Sequence, residues 1–89
     1  MPVSPGMTRD VIEAQLATIE QAWGIRIANR AQLRDWIAEA LTDPAEILSF
    51  TTSLNTWVAL NQPGGNVQVS RSLFEKILVA IRSRHRQER

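Results

Sequence analysis

Apolar residues recur at helical spacing in four segments of the chain. In the first segment, Ile12, Leu16, Ile19 and Trp23 follow one another at intervals of four, three and four residues, on one face of an α-helix. The same spacing recurs at Leu33, Trp36, Ile37, Ala40 and Leu41, at Ile47, Phe50, Leu54, Trp57 and Val58, and at Phe74, Ile77, Leu78 and Ile81. We therefore predict an all-α fold with helices over residues 9–23, 30–41, 44–60 and 71–86, packed as a compact orthogonal bundle.

Capping residues and helix breakers stand at the predicted boundaries. The candidate N-caps are Thr8, Asn29 in a box with Gln32, Asp43 and, for the last helix, either Ser70 or Ser72. The side-chain oxygen of each can accept a hydrogen bond from a first-turn amide. Pro44 suits the first helical position, and Gly24 suits the left-handed residue that ends a helix.

The segment between the third and fourth predicted helices is different in kind. Pro63, Gly64 and Gly65 prevent a helix from continuing. Val67, Gln68 and Val69 then alternate apolar and polar residues, which is the period of a strand. No strand partner is evident elsewhere in the sequence, so we expect residues 67–69 to pair with a second copy or with an extended peptide.

A chain of 89 residues corresponds to one small domain. We predict a flexible tail over 1–7, a single helical domain over 8–86 and a frayed end over 87–89. Trp23, Trp36 and Trp57 each lie on the apolar stripe of a helix, which predicts a core built on tryptophans. Trp36→Ala is then expected to cost about 3–5 kcal/mol.

The residues that most often carry chemistry are sparse. The chain has no cysteine and no tyrosine, and its single histidine, His85, lies between Arg84 and Arg86. Asp35 and Glu39 share a helical face, but no histidine is near them in sequence, so we interpret that face as solvated. We predict no catalytic, cofactor or metal site, no small-molecule substrate and therefore no enzyme. With no signal peptide and no apolar run of about 18 residues, a cytoplasmic protein is expected.

Charge is distributed unevenly along the chain. Residues 47–70 contain no charged side chain, whereas about five would be expected from the charged fraction of 21%. Within this stretch, Ser49, Thr52, Ser53 and Thr56 form a stripe of small hydroxyl residues on the predicted third helix. Two interpretations are open: a central helix packed on several sides, or an interface with another chain, since interface cores are poor in Lys, Glu and Asp.

The sequence therefore predicts a non-enzymatic interaction module, acting as an adaptor, regulator or assembly component. Its expected partner is a second copy, as a homodimer, or another protein, bound through the hydroxyl stripe and residues 67–69. The alternative is a nucleic-acid-binding accessory protein that uses Arg82, Arg84, Arg86 and Arg89 for weak, non-specific binding. A further alternative is binding to a membrane surface through the last helix, whose apolar face is edged by Arg71, Lys76 and Arg82.

Overall fold

The computed structural model describes residues 5–87, and side chains are described for residues 8–84. These residues form, in chain order, α1 (Pro5–Trp23), β1 (Arg26–Ile27), α2 (Arg30–Ala40), α3 (Pro44–Asn61), β2 (Asn66–Val67) and α4 (Arg71–Gln87). The prediction of an all-α fold with four helices is confirmed. Residues 1–4 and 88–89, which belong to the predicted tail and frayed end, lie outside the described residues.

Several helix ends follow the predicted capping chemistry. Asp43 precedes α3 and accepts a hydrogen bond from the Ala45 amide at 2.9 Å, and Pro44 occupies the first position of that helix. The hydroxyl of Ser70 accepts a hydrogen bond from the Leu73 amide at 3.1 Å, so Ser70 caps α4. Gly24 follows α1 with φ +63°, the left-handed conformation that glycine adopts at low cost.

Two predicted caps are wrong. Helix α1 begins at Pro5, within the predicted tail, so Thr8 lies inside the helix. Proline is compatible with a first turn because its missing amide hydrogen has no partner there. Asn29 precedes α2, but its side chain makes no capping hydrogen bond. That side chain is instead hydrogen-bonded to the backbone of Val69, 40 residues later in the chain.

The core is shared by all four helices and both strands. Phe74 of α4 is fully buried, and its ring centroid lies 5.4 Å from that of Phe50 and 5.5 Å from that of Trp36. Trp36 and Trp57 are half-buried against this core. Trp23 is 43% exposed, so its predicted core position is wrong. Its indole nitrogen donates a hydrogen bond to the Asn55 side chain at 2.8 Å, at the edge of the α1–α3 contact.

The prediction that residues 67–69 lack a strand partner within the chain is also wrong. Strand β2 pairs in parallel with β1, with Arg26 opposite Asn66 and Ile27 opposite Val67. The amide of Ala28 donates a hydrogen bond to the Val67 carbonyl at 2.7 Å. The Asn29 side chain then extends the ladder, because its oxygen accepts from the Val69 amide at 2.9 Å and its nitrogen donates to the Val69 carbonyl at 2.7 Å.

Candidate interaction surfaces

The two long flanks of α1 have different chemistry. The flank that faces α2 carries Arg9, Glu13 and Glu20, and each of these forms an ion pair with a residue of α2. The flank that faces α3 carries Gln15 and Thr18 and no charged side chain. One side of α1 is therefore held by electrostatic contacts, and the other side adjoins an uncharged surface.

An ion-pair network of alternating charge joins α1 to α2. Its successive contacts are Glu20–Arg30 at 2.6 Å, Arg30–Glu13 at 3.1 Å, Glu13–Arg34 at 2.9 Å, Arg34–Asp35 at 3.0 Å and Asp35–Arg9 at 3.1 Å. Every member has a partner of opposite charge, so these groups neutralise one another. The network accounts for Asp35, whose carboxylate accepts from two guanidinium groups, and indicates a structural role for it.

The guanidinium of Arg34 holds the pKa of the Asp35 carboxyl below its ordinary value of 3.8 by hydrogen bonding, and Arg9 adds a second hydrogen bond. The same contact raises the pKa of Arg34, which stays protonated.

The lowered pKa of Asp35 predicts a loss of stability in acid. The Asp35 carboxyl of the unfolded chain takes up its proton at a higher pH than that of the folded chain. The contribution of Asp35 to stability is therefore complete above the unfolded pKa, and it is lost as the pH falls through the lower folded pKa. We expect Asp35→Asn to melt at a lower temperature than the parent at pH 7, with the difference shrinking towards pH 2. Circular dichroism melts across this range test it, and a constant difference would contradict the assignment.

A cleft of about 500 Å³ opens beside the network, between the end of α1 and the β1–α2 segment. Glu20 projects along it, and its carboxylate accepts hydrogen bonds from the Ile27 amide at 2.7 Å and from Arg30. The side chain of Glu20 is only 13% exposed, and both of its oxygens are engaged. These bonds fix the start of β1 against α1. Arg26 also lines the cleft, and its guanidinium forms no ion pair with any described carboxylate.

A groove of about 360 Å³ lies on the other flank of α1, against α3. Its lining residues are Gln15, Thr18, Ile19, Leu48, Thr51, Thr52 and Asn55, none of them charged. Thr51 is buried at the bottom of the groove, and its hydroxyl donates to the Gln15 side chain at 2.6 Å. This contact joins α1 to α3 through neutral polar groups.

Six uncharged residues continue from the groove onto both helices, and all of them except the half-buried Gln15 are exposed. On α1, Val11, Gln15, Thr18 and Ala22 follow at intervals of four, three and four residues, which keeps them on one stripe. On α3, Leu48 is 57% exposed and Thr52 is exposed beside it. We define the uncharged face by these six residues together with Trp23 and Asn55, whose hydrogen bond lies at its end.

The hydroxyl stripe predicted on the third helix is only partly at the surface. Thr52 and Thr56 are exposed, whereas Ser49 and Ser53 are half-buried. Thr52 belongs to the uncharged face. The hydroxyl of Thr56 donates to the Thr52 carbonyl at 3.1 Å, within its own helix.

Val67, Gln68 and Val69, which were expected to pair with a second copy or a peptide, pack within the chain. Val67 and Val69 are buried in the core, and their backbone groups bond to Ala28 and Asn29. Gln68 is the exposed member of the three. Alternation in this segment therefore reflects packing within the chain, since both valines point into the core.

The described cations of α4 fall into two groups. Arg71 pairs with Glu75 at 3.1 Å, and its guanidinium lies over the rings of Trp36 and Phe74. Lys76, Arg82 and Arg84 are exposed and form no ion pair with any described carboxylate. The side chains of His85 and Arg86, and the whole of Arg89, lie outside the description.

The described side chains contain no further cluster of functional groups. Glu39 is exposed and takes no part in the ion-pair network. No cluster of three or more His, Cys, Asp or Glu residues with metal-binding geometry occurs in the described part of the chain. Within the same part, no helix combines the length and the hydropathy that crossing a membrane requires.

No protein-family model, curated protein or solved structure matches this chain.

Proposed function

We propose that the chain is a small non-enzymatic protein-interaction module that self-associates as a homodimer through the uncharged face of α1 and α3. One observation carries this proposal: an exposed surface without charge extends across two helices, although charged residues make up 21% of the sequence. Interface cores are depleted of Lys, Glu and Asp in the same way. The partly exposed Leu48 and Trp23 provide apolar area of the kind that association buries.

The polar groups of the face favour a second copy as the partner. Gln15 and Asn55 carry amides, and Thr18 and Thr52 carry hydroxyls, so each side chain can both donate and accept a hydrogen bond. A surface of this kind is complementary to itself. A two-fold axis brings the same patch of both copies together, where carboxylates or guanidinium groups would repel their own images. The neutral composition of the face therefore supports a symmetric contact.

A charge placed on this face should separate the dimer without unfolding the monomer. We expect Thr18→Glu to raise the dissociation constant at least about tenfold, because burying an unpaired carboxylate costs several kcal/mol. Gln21→Glu is the matched control, since Gln21 is also exposed on α1 but lines the charged cleft. Size-exclusion chromatography with light scattering, over concentrations from about 1 μM to 1 mM, measures both.

The proposal requires a wild-type mass that rises with concentration to twice that of the chain. A wild-type monomer throughout this range would refute self-association. Equal weakening by Thr18→Glu and Gln21→Glu would place the contact elsewhere. Circular dichroism of each variant separates dissociation from unfolding.

A further inference from the structure

The outer surface of α4 is independent of the uncharged face. Phe74, Ile77, Leu78 and Ile81 turn inward to the core, and Leu73 is half-buried beside them. The other described side chains of the helix, up to residue 84, are exposed. At about 100° per residue, Arg82 and Arg84 lie roughly 120° and 80° to either side of Lys76. The three exposed side chains therefore span about 200° of the helix circumference, on the side away from the core.

These three cations are not engaged in holding the fold together. Arg9, Arg30, Arg34 and Arg71 all pair with carboxylates, whereas Lys76, Arg82 and Arg84, like the isolated Arg26 of β1, pair with no described acid. The sequence from Lys76 to Gln87 contains no Asp or Glu, and it adds Arg86. Positive charge thus accumulates at this end of the molecule.

We propose that this basic surface of α4 binds the phosphate backbone of nucleic acid, without regard to sequence. Lys76 and Arg84 are about 12 Å apart along the helix axis, at 1.5 Å per residue. The same length of duplex carries about seven phosphates, which is more than one for each of the three cations. Guanidinium groups, which predominate here, match phosphate with two parallel hydrogen bonds.

The packing of α4 argues against two other anionic partners. A helix that binds a membrane surface inserts an apolar face, but the apolar face of α4 is buried in the core. An acidic protein usually adds a buried aromatic or aliphatic anchor at the centre of its interface. Among the large apolar side chains of α4, only Val79 is exposed, at 64%. A phosphate backbone needs no such anchor, because charge and counterion release supply the affinity.

Fluorescence anisotropy with a labelled duplex of about 20 base pairs tests the proposal through its salt dependence. Three contacts predict a log–log slope of about −2.7. The affinity should then fall by about 40-fold between about 50 and 200 mM salt.

The decisive variant is K76Q/R82Q/R84Q, which removes three positive charges from exposed positions of α4. We expect it to weaken binding at least tenfold at low salt and to reduce the slope by about 2.7. The matched control, R26E/T42E, lowers the net charge by the same three units at exposed positions outside α4. Thr42 lies between the end of α2 and the start of α3, so the effects of the two helix dipoles on an added carboxylate largely offset each other there.

Several outcomes would overturn the proposal. The first is no binding of the duplex at about 50 mM salt. The second is an affinity that does not change with salt. The third is equal weakening of duplex binding by the triple variant and its control. Tighter binding to phosphatidylserine vesicles or to polyglutamate than to the duplex would also overturn it, by assigning the surface to a membrane or an acidic protein. Circular dichroism confirms that each variant is folded, and light scattering shows whether the dimer persists.

Discussion

Replacing Phe74 by alanine is expected to lower the free energy of unfolding by about 3–5 kcal/mol. The Phe74 side chain is fully buried, and its ring contacts Phe50 and Trp36 from two other helices. Truncation to alanine loses the transfer free energy of the ring. It also leaves a cavity, because the surrounding side chains relax only partially into the space. A domain of this length is stable by only about 4–13 kcal/mol, so the variant should be close to unfolding.

Urea denaturation followed by tryptophan fluorescence measures this loss. Val79→Ala is the control on the same helix, because Val79 is 64% exposed, and it should change the stability by less than about 0.5 kcal/mol. Phe74→Leu keeps most of the volume and should cost less than about 1.5 kcal/mol. Equal midpoints for Phe74→Ala and Val79→Ala would show that the rings do not form the centre of the core.

The helices were predictable because their signals are local. Apolar spacing of three and four residues identifies each inward face, and caps such as Asp43 act on amides only two residues away. Trp23 shows the limit of this reasoning. It follows the apolar spacing of α1, yet it lies at the last position of that helix, beyond the enclosed part of the core. Apolar spacing shows which side of a helix faces the core, but it does not show how far along that helix the neighbouring helices extend.

Contacts between distant residues were not predictable in the same way. The alternation at residues 67–69 was visible, but its partner β1 has only two residues, too few to show a strand period, and Val67 lies 40 positions after Ile27. Asn29 was interpreted as a cap because its own sequence neighbourhood suits one. Its actual partner is the backbone of Val69, which no local rule indicates.

The α3 side of the candidate interaction surface was visible in the sequence. The uncharged stretch over residues 47–70 includes Leu48, Thr52 and Asn55. The α1 half was missed because Arg9, Glu13 and Glu20 are interspersed with its neutral residues along the chain. The spacing of Val11, Gln15, Thr18 and Ala22 was the available signal, but only the structure shows that the charged flank of α1 faces α2 and the neutral flank adjoins α3.

Replacing Asn29 by alanine is expected to lower the free energy of unfolding by about 2–3 kcal/mol. The change removes both hydrogen bonds to Val69 and leaves its amide and carbonyl without partners in a partly buried site. Asn29→Asp should cost at least as much. Its carboxylate can still accept from the Val69 amide but sets an oxygen against the Val69 carbonyl. Asn61→Ala makes the same truncation at an exposed position and should change the stability by less than about 0.5 kcal/mol.

Hydrogen exchange should locate the damage caused by Asn29→Ala. The amides of Ala28 and Val69 are hydrogen-bonded across the paired segments. Both should exchange faster once the two hydrogen bonds between the Asn29 side chain and Val69 are lost. Amides in the middle of α3, such as that of Leu54, should change only by the global loss of stability. Because β2 links α3 to α4, release of Val69 also loosens the start of α4. Unchanged protection of Val69 in Asn29→Ala would show that the segment is held by burial of its valines alone.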